Sequence, residues 1–106
     1  MLVAEMVALE VVRDVRPVLE RVRKQDRSLF DQARRAGSSV VLNIAEAQGS
    51  DAGNARARYF TAAGSAKELS AALRLAVAWG YVGDDAVRSV EHKIDRVRRL
   101  LFGLQR

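Results

Sequence analysis

The chain has 106 residues, one proline, seven glycines, no cysteine, 49% apolar side chains and a formal charge of +5. This length fits one domain, residues 1–106, with a small core, and the apolar share excludes wholesale disorder. Without cysteine there is no disulfide, thiolate nucleophile or cysteine zinc site, and no apolar run reaches the ~18 residues of a membrane span.

The leading MLVAEMVALEVV carries acidic residues and no basic head, unlike a secretory signal, so a cytoplasmic location is expected. Apolar residues then recur at helical spacing from residue 2 to 24. One line is Leu2, Met6, Leu9, Val12, Val15, Leu19 and Val22; a second is Val3, Val7, Val11 and Val18. One stripe is enough for a bundle core, so the second predicts a contact with another subunit. Pro17 removes a backbone donor and is expected to kink or restart the helix.

RKQDR (23–27) breaks the rhythm and reads as a connector. Ser28 with Asp31 resembles a capping pair for a helix running to about Gln48, whose apolar face is Leu29, Phe30, Ala33, Ala36, Val40, Ile44 and Ala47. GSDAGN (49–54) is the clearest turn. Asp51 or Asn54 can cap a third helix, 53–79, which Gly80 stops in a left-handed conformation. Asp84 is expected to cap a fourth, 84–104, with Val87, Val90, Ile94, Val97, Leu101 and Leu104 in line. Four helices with short connectors predict an all-α, antiparallel up-down-up-down four-helix bundle.

Polar residues interrupt the second and third helices. A hairpin turning near Asp51 sets Gly37-Ser38 opposite Gly64-Ser65, where small residues permit close approach. It also sets Asn43 near Tyr59, Glu46 near Arg56, and Glu68 near Arg34 and Arg35. Asn43, Glu46, Gly64, Ser65 and Glu68 therefore form a structural polar motif, with carboxylate chemistry as the lesser reading. If Glu46 is paired and buried, its truncation strands a charge and costs roughly 3–5 kcal/mol.

No cofactor or metal is expected. A di-iron bundle needs four carboxylates and two Glu-x-x-His motifs, whereas His92 is the only histidine and Ser89 stands three residues before it. Glycine-rich phosphate loops are absent, and Ser38, Ser39 and Ser65 share no predicted face with a histidine. Trp79 and Tyr81 suit closure of one end of the core, or base stacking if exposed.

Charge is uneven: residues 1–35 carry +2, residues 36–85 carry −1, and residues 86–106 carry +4. Such a patch suits a polyanion; the rival reading is a solvated, arginine-rich face. The expected phosphate contacts are Arg88, Lys93, Arg96, Arg98 and Arg99, with Arg21, Arg23, Lys24 and Arg27 in support.

ARRAGSSVVLNIAEAQG (33–49), YFTAAGSAKEL (59–69) and the terminal GYV (80–82) resemble a known family. It is the bundle proteins encoded in intervening sequences of bacterial 23S ribosomal RNA genes. Arg35-Ala36, Ser39, Asn43-Ile44-Ala45-Glu46, Gly49, Phe60, Gly64-Ser65 and Glu68-Leu69 fit its pattern in order and spacing, while Ala47 and Ser50 depart from it. The resemblance implies a homopentameric bundle. A related group, the accessory proteins of diversity-generating retroelements, binds nucleic acid and a reverse transcriptase, so such partners are expected by resemblance. The function expected here is a non-enzymatic oligomer that binds RNA or DNA; the alternative is a protein-interaction scaffold.

Overall fold

A computed structural model describes residues 1–106 and contains four helices: α1 (Val3–Gln25), α2 (Arg27–Ala47), α3 (Ala52–Ala78) and α4 (Asp84–Leu104). Each packs on its chain neighbours, and α1 also packs on α4, which closes an antiparallel bundle of 43 × 22 × 19 Å. No strand is present, and no helix is long and apolar enough to cross a membrane.

The expected 23–27 connector shrinks to a single residue. Asp26 adopts an extended conformation, donates its N–H to the Val22 carbonyl and accepts the Leu29 N–H on Oδ1 at 2.9 Å. It thus ends α1 and caps α2. Ser28, the expected cap, lies inside the first turn, because a cap must stand three residues before the N–H it receives. The other Asp26 oxygen accepts the Tyr81 hydroxyl at 3.0 Å and ties this corner to the α3–α4 turn. Burial, and then the Asp26 carboxylate, push the Tyr81 hydroxyl above its ordinary pKa. Trp79, by contrast, is exposed and does not close the core.

Other punctuation follows the chemistry of single residues. Gly80 has φ of 80°, the left-handed stop of α3. Gly83, not Asp84, is the cap of α4; Asp84 and Asp85 occupy the first turn, where they favour the positive end of the helix dipole. Pro17 does not restart α1, which runs unbroken from Val3 to Gln25.

Asp51 caps α3 by accepting the Asn54 N–H at 3.0 Å. That hydrogen bond, then the Asn54 side-chain amide, lower its carboxyl below the ordinary 3.8. The depressed group adds stability that is complete above the unfolded pKa and is lost as pH falls through the folded one. Asp51→Asn keeps a cap acceptor but cannot titrate. Its melting temperature relative to the parent is therefore expected to rise between pH 5 and pH 2; parallel thermal melts check this.

A core of 27 buried residues draws on all four helices. Val7, Val11 and Val18 are in it, with Val7 only 2% exposed. The second stripe of α1 therefore belongs to the bundle itself and does not wait for another subunit. Of that stripe only Val3 is exposed, whereas Met6 of the first stripe faces solvent. Surplus apolar surface lies on α3 instead. Its inner face is Tyr59, Ala62, Ala66, Leu69, Leu73 and Ala76. Its exposed positions include Ala57, Phe60 and Gly64, then Ala71, Leu75 and Ala78, spaced by three or four residues on each side of the charged Lys67 and Glu68. A helix that is apolar on both sides is suited to burial on both sides.

Candidate nucleic-acid interface

The polar motif of α2 and α3 forms a continuous seam. The Ser39 and Ser65 hydroxyls lie 2.8 Å apart. Asn43 donates its amide to the Ser39 carbonyl at 2.9 Å and hydroxyl at 3.0 Å, and accepts Arg58 on Oδ1 at 3.4 Å. Arg58 also meets Glu46 at 2.9 Å, with both side chains half or more exposed, at 50% and 56%. The partner of Glu46 is thus Arg58, not Arg56, and the hydrogen-bond partners of Asn43 are Ser39 and Arg58. Two residues along a helix turn the side chain by about 200°, so a hairpin register that is only approximate names the wrong arginine.

Glu68 has no charged partner, because Arg34 turns toward α1 and Arg35 is exposed. Gly64 is exposed with no atom near an added Cβ, so it is not a point of close helix approach; the buried member of the expected glycine pair is Gly37.

The nine predicted phosphate contacts do not form one surface. Lys93 bridges Glu10 at 3.2 Å and Asp14 at 2.5 Å across the α1–α4 seam. Its hydrogen bond to Asp14, then that to Glu10, raise its pKa above the ordinary 10.5. It is a structural clasp. Arg88 pairs with Asp85, Arg23 with Glu20, and Arg27 with Asp31. Arg21, Lys24, Arg96 and Arg98 are exposed and have no acidic partner. Arg21 and Lys24 stand near the far end of the bundle from Arg98, since α1 and α4 are antiparallel. Arg96 and Arg98 point about 160° apart around α4.

What α4 does build is a groove with α3, about 780 Å³, lined by Phe60, Gly64, Lys67, Arg98, Arg99 and Phe102, with Asp95 and Arg106 at its margin. Asp95 pairs with Arg99 at 2.5 Å, which leaves Lys67, Arg98 and Arg106 free of acidic partners. Phe60 and Phe102 are 70% and 61% exposed. The Arg106 guanidinium lies 5.0 Å over the Phe102 ring, so that ring face already receives a flat cation. Sequence reasoning named Arg98 and Arg99 but missed Lys67, Arg106 and both phenylalanines, because their common face depends on how α3 is rotated against α4.

No curated protein matches the chain. A crystal structure of a protein of unknown function from the S23 ribosomal protein family of Bacteroides thetaiotaomicron is similar in fold. The TM-score is 0.87 at 21% identity, covering 98% of this chain and 99% of that one. The family described as 23S rRNA-intervening sequence protein matches residues 3–103. With its four-helix architecture and the Asn43–Glu46 seam in place, this chain belongs to the 23S rRNA-intervening sequence protein family.

Proposed function

We propose that this protein is a non-enzymatic, cytoplasmic homo-oligomer that binds RNA or DNA through the α3–α4 groove. The carrying observation is the meeting of Lys67, Arg98 and Arg106, free of acidic partners, with two exposed phenylalanines in one groove. Cations meet phosphates without reading sequence, and aromatic rings accept any base face. Binding is therefore weak and sequence-tolerant, and log affinity falls linearly with log salt. Anisotropy titrations of a labelled oligonucleotide across a salt series test this. Absence of binding at low salt overturns it and leaves the scaffold reading, in which the charge is a solvated face.

Self-association uses the outer stripe of α3, since Ala57, Ala71, Leu75 and Ala78 offer apolar or small side chains to a partner copy. Five copies would follow the family resemblance. Leu75 is exposed, so Leu75→Glu leaves the bundle core untouched. Light scattering at micromolar concentration should then report the 11.7 kDa monomer in place of a larger species. An unchanged mass removes this stripe from the interface.

A further inference from the structure

A second groove lies between α1 and α2, and its chemistry differs from that of the α3–α4 groove. It encloses about 510 Å³, within the ~300–1,000 Å³ usual for small-molecule sites. Its existence traces to size. Ala33 and Gly37 on α2 are too small to fill the space beside Val12, Val15 and Leu19 of α1. Three arginines surround it: Arg13 and Arg16 from α1, and Arg34 from α2. All three are exposed and none has a carboxylate partner. The one carboxylate on the rim, Glu20, is already bound by Arg23, whose hydrogen bond keeps its pKa low.

The floor offers two further features. Phe30 presents a half-buried ring, with Arg27 lying 5.8 Å from its centre. Pro17 has no N–H, so it cannot donate to the Arg13 carbonyl four residues earlier, and both residues line the groove. That carbonyl is an acceptor without its ordinary helical donor. The groove therefore holds separated cations and an aromatic face, which match a phosphate and a flat base.

We propose that the α1–α2 groove binds a nucleoside phosphate. Arg13, Arg16 and Arg34 hold the phosphate, in the charge-assisted contacts for which guanidinium is suited. Phe30 and Pro17 flank the base. The nucleoside phosphate is either a free nucleotide or the phosphorylated end of a strand, since both present the same atoms. The site stands apart from the α3–α4 groove and does not rest on it.

Calorimetric titration of the full chain tests the assignment with ADP, adenosine, inorganic pyrophosphate, and a dinucleotide with or without a 5′-phosphate. ADP is expected to bind, adenosine not to bind, and pyrophosphate to bind more weakly than ADP. A 5′-phosphorylated dinucleotide that outcompetes ADP assigns the strand end; the reverse order assigns the free nucleotide. Arg16→Gln with Arg34→Gln should weaken ADP at least tenfold, Arg16→Lys with Arg34→Lys should weaken it less, and Phe30→Leu should abolish the preference for ADP over pyrophosphate. Arg98→Gln with Arg99→Gln should leave ADP binding unchanged, which separates this site from the α3–α4 groove. The proposal is overturned if ADP fails to bind at millimolar concentration, if pyrophosphate binds as tightly as ADP, or if the Arg16/Arg34 glutamine pair leaves the affinity unaltered. Circular dichroism of each variant verifies the fold, and the exposed arginines allow it.

Discussion

Ile44→Ala is expected to destabilise the protein by about 2–5 kcal/mol, while Glu46→Ala, two residues on, costs only ~0–1 kcal/mol. Ile44 is 0% exposed at the centre of the four-helix core. Its truncation loses transfer free energy and leaves a cavity that the surrounding helices relax into only in part. Glu46 is charged and paired, but its side chain is 56% exposed, so water screens the Arg58 contact. The roughly 3–5 kcal/mol attached to a buried, stranded carboxylate does not apply to a pair in this setting. Urea denaturation of the two variants at one protein concentration makes the comparison. Equal costs would mean that the Arg58–Glu46 pair is more strongly coupled to the core than its exposure indicates.

The second large effect falls on binding. Changing Lys67, Arg98 and Arg106 to Gln together removes the three unpaired cations of the α3–α4 groove. For a single strand each phosphate contact contributes about 0.7 to the log–log salt slope, so the slope should flatten by ~2. At about 50 mM salt the affinity should fall on the order of 100-fold, with the deficit shrinking as salt rises. The control is Arg96→Gln, which points about 160° away from Arg98 around α4, does not line the groove and should change the slope little. If Arg96→Gln costs as much as the triple substitution, the contact surface is the outer face of α4 and not the groove.

How far the sequence carried depends on how local each feature is. Helix bounds were legible to within a few residues because they follow from apolar spacing and from single residues such as Asp51 and Gly80. The role of the two α1 stripes was not legible. Both have helical spacing, and only the rotation of α1 against its neighbours buries Val7, Val11 and Val18 and leaves Met6 outside. Charge sums over segments hid the arginines of the α1–α2 groove. Residues 1–35 carry only +2, yet the acids in that segment are engaged elsewhere: Glu10 and Asp14 with Lys93, Glu20 with Arg23, Asp31 with Arg27. Summed charge averages around a helix, whereas a ligand meets one side of it.

The hydroxyl and amide seam between α2 and α3 has a consequence for which structure the chain selects, as distinct from how stable that structure is. Ala62 and Ala66 are buried one turn apart on α3, and Ala33 and Ala36 lie on the facing helix. A slide of one helical turn, about 5.4 Å, would keep alanine near alanine, so these small side chains fix the alignment less sharply than Ile44, Leu69 and Leu73 do. Ser39 and Ser65 are 26 residues apart in sequence and meet at 2.8 Å in one alignment only, with Asn43, Arg58 and Glu46 continuing the line. After a slide, the half-buried Ser39, Ser65 and Asn43 would face methyl groups and lose partners that water cannot fully replace. The competing alignments are raised in energy by polar mismatch, and a helix with ten alanines among its 27 residues is held to a single answer.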